Sequence, residues 1–180
     1  MIAGEARGRR LTAPPGDGVR PTADRVREAL FTMLEAHLGE LDGFRVADLA
    51  CGSGALGIEA LSRGASTCAF VDLAARSLRT ARANLTAVGL DGRPVGFVRD
   101  DLVRWAVRQE PASLDLVLVD PPYHWDQWPD LLCALAGVAA AVAAESDREI
   151  APPTGWASLR ARRYGGTVVS VLVADGEPNR

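Results

Sequence analysis

The sequence predicts an α/β domain built on a doubly wound, mostly parallel sheet of seven strands that ends in a C-terminal antiparallel hairpin. Between Phe44 and Glu145, short apolar runs alternate with segments of helical periodicity, which is typical of parallel βαβ units. Two further apolar runs flank Gly165-Gly166, a strong signal for a two-residue hairpin turn. The length of 180 residues suits a single domain, with a basic arm and helix at 1–40 and the core at 41–180.

The first 40 residues divide into an arm and a helix. Residues 1–20 are rich in Gly, Pro and Arg and predict an irregular arm. Residues 20–39 predict a helix, because Thr22 can cap its start, Gly39 can close its end and apolar residues recur at helical spacing. Residues 1–27 hold six arginines against three acids, a charge of +3, which leaves −6 for the rest of the chain. A basic arm suits contact with a polyanion, although charge alone suits a solvated surface segment equally well.

The core elements follow in alternation. Strands are predicted at 44–50, 66–73, 93–101 and 114–120, and the helices that follow them at 55–64, 74–90, 102–110 and 127–137. The run at 138–145 has the helix propensity of alanine, yet the alternation favours a fifth strand because tertiary context overrides propensity. The runs at 156–164 and 167–174 form the predicted hairpin.

Composition argues against several classes of protein. The chain is 48% hydrophobic and 24% charged, which is typical of a globular protein. Its longest apolar stretch, 131–144, is shorter than the roughly 20 residues that cross a bilayer, and no signal-peptide pattern opens it. We therefore expect a cytoplasmic protein that contacts no membrane. Three widely spaced cysteines and two histidines argue against a disulfide framework and against a metal site.

A glycine-rich turn follows the first predicted strand. Gly52, Gly54 and Gly57 give the pattern GxGxxG, and Asp72 follows Gly52 by 20 residues. Taken literally, the pattern predicts a dinucleotide site with Asp72 on a ribose hydroxyl. Asp48, at the end of the first strand, favours another ligand, because its carboxylate would repel a pyrophosphate and attract the ammonium and sulfonium groups of S-adenosylmethionine.

The S-adenosylmethionine hypothesis assigns roles to further residues. The glycines let the amino-acid moiety approach the backbone, Asp72 accepts hydrogen bonds from the ribose, and Asp101 accepts from the adenine amino group. Asp100 is the alternative to Asp101, and either one can instead cap the following helix. The cofactor contacts predicted on this hypothesis are Asp48, Gly52, Gly54, Asp72, Leu73, Asp101 and Leu102.

The fourth predicted strand ends in Asp120-Pro121-Pro122-Tyr123, which we predict to be the catalytic group. Both prolines fix φ near roughly −65°, so this exit from the strand is rigid whatever its role. An exocyclic amino group of a nucleobase is a poor nucleophile, and acceptors on both of its hydrogens would orient its lone pair toward a methyl donor. Asp120 and the Pro121 carbonyl can supply these acceptors, and Tyr123 can stack on the base.

The acid at the first position of this turn favours guanine as the target. The pairing edge of guanine offers two adjacent donors, N1–H and the N2 amino group, to one carboxylate, whereas adenine offers an acceptor at N1. No general base is required, because the sulfonium leaves as a neutral thioether and orientation supplies most of the catalysis. Cys51 suggests a nucleophilic mechanism instead, but it lies inside the predicted cofactor turn.

The chain resembles the bacterial RsmD family over nearly its whole length. The resemblance is carried by GRRL (8–11), RPTADRVREALF (20–31), DLACGSGALGIEALSRGA (48–65), FVD (70–72), DPPY (120–123) and RRYGGT (162–167). It implies the class I S-adenosylmethionine-dependent methyltransferase fold, and methylation of N2 of one guanine in 16S rRNA within a partly assembled small subunit. It also implies cofactor contacts at Ala50 and Ser53, and RNA contacts at Arg7, Arg9, Arg10, Arg20, Thr22, Arg25 and Arg27. Ala50 and Cys51 depart from the family, which usually has Phe or Tyr, and then Ala, at these positions.

We expect the 16S rRNA methyltransferase to be a monomer, and three alternative functions stay open. A DNA adenine or cytosine amino methyltransferase shares the glycine motif and DPPY, but 180 residues leave no room for a target-recognition domain. An NAD-dependent oxidoreductase fits the literal glycine pattern. A noncatalytic ribosome assembly factor would keep its cellular role after the substitution Asp120→Ala.

Overall fold

Helices and strands alternate along the chain in a computed structural model, which describes residues 1–12 and 21–176, without the side chains of residues 21–23. The strands are β1 (Arg45–Leu49), β2 (Thr67–Asp72), β3 (Val95–Arg99), β4 (Leu114–Val119), β5 (Ala139–Ser146), β6 (Trp156–Tyr164) and β7 (Thr167–Ala174). The helices are α1 (Pro21–Leu38), α2 (Ala55–Ser62), α3 (Ala75–Ala87), α4 (Leu102–Ala106) and α5 (Trp128–Leu135).

All seven strands form one sheet, in the order β3-β2-β1-β4-β5-β7-β6. The first five strands run parallel, whereas β7 is antiparallel to both β5 and β6. The predicted doubly wound sheet with its C-terminal hairpin is therefore confirmed. The chain leaves the centre of the sheet in one direction from β1 and in the other from β4, so the crevice outside the carboxyl ends of these two strands is the topological switch point, where ligands bind in such sheets.

The sheet separates two hydrophobic clusters. The alanine-rich strand β5 contributes residues to both of them. Ala141 packs into the cluster shared with α1, α2 and α3. Its neighbour Val142 packs into the opposite cluster, shared with α4 and α5. Successive residues can enter opposite clusters only with the two-residue period of a strand. Burial on both faces therefore outweighs the helix propensity of the alanine run.

Buried polar side chains fix the N-terminal arm to the body of the domain. Residues 1–12 contain no helix or strand, as predicted. The carboxylate of Glu59, with no exposed surface, accepts the backbone N–H groups of residues 2 and 3, both at 2.9 Å. Asn84 accepts the N–H of Thr12 at 2.8 Å and donates to the carbonyl of the same residue at 2.9 Å. Residues 1–12 are therefore part of the fold and not a free extension, whereas residues 13–20 of the predicted arm lie outside the described residues.

The ends of the predicted helices differ from the observed ends by up to four residues. Helix α1 begins at Pro21, a residue favoured at the first helical position, so Thr22 lies within the first turn and its predicted role as N-cap is wrong. Helix α4 ends at Ala106, four residues before the predicted end. No helix among the described residues has the length and apolar character needed to span a bilayer.

Candidate active site

Asp48 and Asp120 meet at the switch point. Strands β1 and β4 pair in parallel with Leu49 opposite Val119, and the N–H of Asp120 donates to the carbonyl of Leu49 at 3.4 Å. The carboxyl ends of the first and fourth strands therefore lie side by side. Because side chains alternate between the faces of a strand, both acids point to the face covered by α1 and α2. The two acids thus lie at the crevice outside these strand ends, which we call the cleft, and the charge of Asp120 contributes to the raised pKa of Asp48.

Asp48 is a buried acid beneath the glycine turn. Its side chain is 1% exposed, and one carboxylate oxygen accepts the N–H of Gly57 at 2.8 Å. Burial raises the pKa of Asp48 well above its usual value; Asp120 and Asp72 raise it further, and the bond from Gly57 opposes them. A buried carboxyl group of this kind favours a cation beside it, because the cation stabilises its ionised form.

The glycine turn between β1 and α2 requires left-handed backbone. Gly52 has a φ of 52° and Gly54 a φ of 77°. A Cβ at Gly54 would lie 2.9 Å from the Cβ of Ala81, whereas a Cβ at Gly52 would meet only the carbonyl of Ala50, at 3.9 Å. Gly54 is therefore required by packing, and the backbone at Gly52 faces open space in which a ligand can approach. Ala50 is left-handed too, with a φ of 57°, a conformation that costs a non-glycine residue roughly 1–2 kcal/mol.

Asp72 joins the end of β2 to the glycine turn. One oxygen accepts the N–H of Gly52 at 3.0 Å, and the other accepts the N–H of Ala74 at 2.7 Å. Each carboxylate oxygen can accept a second hydrogen bond, so Asp72 can still bind ligand hydroxyls. The next residue, Leu73, is a 59% exposed leucine that offers an apolar surface beside these acceptors.

Cys51 does not have the properties of a nucleophile. The thiol is buried, and this burial raises its pKa, with further contributions from Asp48 and Asp72. A cysteine attacks as the thiolate, which a raised pKa disfavours. The nucleophilic mechanism has no support at this position.

Asp100 and Asp101 both have structural partners. Asp101 caps α4, accepting the N–H of Arg104 at 3.0 Å, as the capping alternative predicts. Asp100 binds the guanidinium groups of Arg108 and Arg104, which lower its pKa to about 2. Asp101 follows the end of β3, the strand next to β2, so a role in binding adenine stays a prediction.

The DPPY turn forms a rigid exit from β4. Asp120 is exposed, whereas Pro121 is buried, and the carbonyl of Pro122 accepts the N–H of Trp125 at 2.8 Å. Tyr123 is 44% exposed, and its hydroxyl forms a 2.6 Å hydrogen bond with the hydroxyl of Thr167. Three large apolar or aromatic side chains are exposed among the described residues. Two of them lie near the cleft, since Leu73 follows Asp72 at the end of β2 and Tyr123 follows Asp120 after β4.

Comparisons with known proteins agree with this geometry. A family described as conserved hypothetical protein 95 matches residues 1–173. Ribosomal RNA small subunit methyltransferase D of Haemophilus influenzae is 31% identical over 176 residues, covering 92% of this chain and 88% of that protein. This chain belongs to the RsmD family. YlbH of Bacillus subtilis, provisionally named as an rRNA methyltransferase, is 34% identical over 186 residues, covering 98% of this chain and 99% of that protein.

Solved structures share the fold of this RsmD-family chain. A structure described provisionally as the methyltransferase yhhF of Escherichia coli has a TM-score of 0.82 at 28% identity and covers 98% of both chains. Magnesium protoporphyrin IX methyltransferase of Synechocystis, solved with bound SAH, has a TM-score of 0.68 at 16% identity and covers 89% of this chain and 90% of that one. The predicted class I methyltransferase fold is confirmed.

Glu145 is a residue of the cleft that sequence analysis missed. It lies near the end of β5, one residue after the pair formed by Val119 and Ala144, and so next to Asp120 and on the same face. Burial and the charge of Asp120 raise the pKa of Glu145 to about 8, against an opposing effect of Arg27. The signal was present in the sequence, since Glu145 stands at the end of its strand as Asp48 and Asp120 do.

The predicted RNA-binding residues differ in their exposure and in their contacts. Arg7, Arg10 and Arg25 are exposed. Arg9 is exposed as well, but it donates to the carbonyl of Val88, after the end of α3. The side chain of Arg27 is only 11% exposed and pairs with Asp24. Arg20 and the side chain of Thr22 lie outside the described part of the structure.

Proposed function

We propose that this protein transfers a methyl group from S-adenosylmethionine to the exocyclic N2 amino group of one guanine in 16S rRNA. The observation that carries the proposal is the meeting of buried Asp48 and exposed Asp120 at the carboxyl ends of adjacent strands. One acid suits a cationic donor, and the other suits a base that presents hydrogen-bond donors. Membership of a family with relatives named as rRNA small subunit methyltransferases supports rRNA as the substrate.

The residues around the glycine turn fit S-adenosylmethionine. When bound, this cofactor supplies an electrophilic methyl group on a sulfonium. Asp48 would stabilise its positive charge, while the open backbone at Gly52 admits the amino-acid moiety. Asp72 keeps acceptor capacity for the ribose hydroxyls, and exposed Leu73 can pack against the adenosine. The proposed cofactor site also includes Ala50, Ser53, Gly54, Asp101 and Leu102.

The DPPY turn would hold the target base. Asp120 accepts hydrogen bonds from N1–H and from the N2 amino group of guanine, and the carbonyl of Pro121 accepts the second amino hydrogen. Pro122 keeps the turn rigid, and Tyr123 stacks on the base, which must leave its helix to reach the cleft. The chain thus contributes orientation and accepts hydrogen bonds, and no proton needs to leave before the methyl group is transferred.

Methyl transfer to undermodified small subunits tests the proposal. The purified protein is incubated with isotopically labelled S-adenosylmethionine and with small subunits from cells that lack its gene, followed by nucleoside analysis. We expect label in N2-methylguanosine at a single position of 16S rRNA. Label in N6-methyladenosine, or in DNA from the same cells, would contradict the choice of target. Partly assembled and mature subunits are compared, and we expect the partly assembled particle to be the better substrate.

A further inference from the structure

Three exposed arginines, Arg160, Arg162 and Arg163, make the strand β6 basic, and we call them the β6 arginine surface. Arg160 and Arg162 point to the face of the sheet that carries Asp48 and Asp120, whereas Arg163 points to the opposite face and donates to the carbonyl of Asp147 at 3.3 Å. Among the described residues, β6 is an edge strand that pairs only with β7. No acidic residue occurs between residues 150 and 174, although the chain beyond residue 27 is acidic overall. The β6 arginine surface is therefore a local concentration of positive charge at one edge of an acidic body.

Strand topology places the end of this surface beside the candidate cleft. Because β7 is antiparallel to β5, Val168 near the start of β7 pairs with Ser146 at the end of β5. The turn at Gly165-Gly166 therefore lies at the same edge of the sheet as Asp120. The 2.6 Å hydrogen bond between Thr167 and Tyr123 joins the hairpin directly to the DPPY turn.

The β6 arginine surface also lies on the substrate side of the sheet. The proposed cofactor residues belong to β1, β2, β3 and their following turns, whereas β6 lies beyond β4, β5 and β7. A chain of nucleotides that enters the cleft at Tyr123 from this side passes the end of β6. Guanidinium groups suit such a partner, because their planar donors match the oxygens of a phosphate.

We propose that the β6 arginine surface binds phosphates of the rRNA strand that flanks the target guanine. The inference rests on the proposed function and extends its RNA contacts from the N-terminal arm to the C-terminal hairpin. In this arrangement the hairpin has two roles. It holds the backbone of the substrate through its arginines, and it fixes Tyr123 through Thr167.

Substitution of the three arginines tests the inference. The triple variant Arg160→Gln, Arg162→Gln, Arg163→Gln is compared with a control that removes the same charge elsewhere, Arg45→Gln, Arg79→Gln, Arg93→Gln. We expect the KM for small subunits to rise about tenfold in the β6 variant, with kcat and the Kd for S-adenosylmethionine unchanged. The salt dependence of log KM should become shallower by roughly 0.7–0.9 for each lost phosphate contact. The control should stay within about twofold of wild type.

A lysine variant distinguishes the loss of phosphate binding from damage to the fold. Lysine also binds phosphate as a point charge, so the triple Arg→Lys variant should keep KM within about threefold of wild type, and single glutamine variants should each raise it. Wild-type KM and salt dependence in the glutamine variants would overturn the inference, as would a loss confined to kcat. Aggregation with an unchanged KM would also overturn it and assign the arginines to protection of the sheet edge. Failure of the wild-type protein to methylate subunits would instead contradict the proposed function.

Discussion

At the scale of single residues, the site is dominated by acids at the ends of four adjacent parallel strands, β2, β1, β4 and β5. They differ in burial and so in their chemistry. Asp48 is enclosed beneath the glycine turn, Asp120 is exposed in the cleft, and Glu145 lies beside Asp120 with a raised pKa. Asp72 accepts from the glycine turn with one oxygen and from the N–H of Ala74, just before α3, with the other. The same residue type therefore suits a cation, a base edge or a ribose according to its surroundings.

The substitution Glu145→Gln should change how stability depends on pH. In the folded protein the pKa of Glu145 is raised from 4.5 to about 8, so the folded state binds the extra proton between these values. The free energy of unfolding of the wild type therefore falls as pH rises through this window. Glutamine cannot ionise, and a difference of one in pKa corresponds to about 1.4 kcal/mol. In urea unfolding, the free energy of unfolding of the variant minus that of wild type should increase by more than about 1 kcal/mol between pH 5 and pH 9.

The charged neighbours of Glu145 supply the control for this prediction. Asp120 and Asp48 raise its pKa, and Arg27 lowers it. The substitution Arg27→Gln should therefore raise the pKa of Glu145 further, so that the free energy of unfolding falls by more as pH rises. A stability difference between Glu145→Gln and wild type that is the same at every pH would contradict this account of the cluster.

Binding of S-adenosylmethionine should release a proton from Asp48. Burial raises the pKa of Asp48 in the free protein, whereas a sulfonium or ammonium beside it would favour the ionised form. The affinity should therefore increase with pH until Asp48 is ionised in the free protein, by up to about tenfold for each pH unit. Calorimetry in two buffers with different ionisation enthalpies measures the released proton. The Asp48→Asn variant should release none, and Glu145→Gln serves as the background in which Glu145 cannot contribute.

At the scale of elements, the C-terminal hairpin supports the DPPY turn. The hydrogen bond between Tyr123 and Thr167 links the last residue of the DPPY turn to the first residue of β7. A hydrogen bond of this kind contributes about 0.5–1.5 kcal/mol, here to the placement of a ring proposed to stack on the target base. The resemblance segment RRYGGT thus has a structural explanation, because its threonine positions the tyrosine of DPPY.

Substitution at Thr167 tests this coupling. We expect Thr167→Val to lower kcat/KM about three- to tenfold and Thr167→Ser to restore it, since serine keeps the hydroxyl. Tyr123→Phe keeps the ring but loses the bond, and should have an effect close to that of Thr167→Val. In a double-mutant cycle on methyl transfer, the combined variant should be no worse than either single one. Additive losses would contradict the coupling.

Local patterns predicted these elements, whereas contacts between distant segments could not be predicted. The alternation of strands and helices identified β5 despite its alanines, and Gly165-Gly166 identified the hairpin. The role of Glu59 in holding residues 2 and 3 depends on segments 56 residues or more apart. The family resemblance implies that Arg27 contacts RNA, and only the structure shows that its side chain is largely buried.

At the scale of the whole molecule, the sheet divides the proposed function between its two sides. Strands β1, β2 and β3 and their following turns carry the proposed cofactor residues, while the turn after β4 and the C-terminal hairpin carry residues proposed for the substrate. The switch point is the only place where the two groups meet in this strand order, and Asp48 and Asp120 lie on either side of it. Under the proposed function, this arrangement would bring the methyl donor and the acceptor base together at the switch point.

One measurement tests the central claim most directly, which is that Asp48 and Asp120 define neighbouring sites for cofactor and base. Single-turnover methyl transfer to small subunits is measured for wild type and Asp120→Asn, together with the Kd for S-adenosylmethionine. The account predicts unchanged cofactor affinity and a rate lowered by about 10²–10³, the usual cost of removing one aligned polar group, because asparagine cannot accept from both guanine donors. Full methylation of N2 by Asp120→Asn would contradict the account.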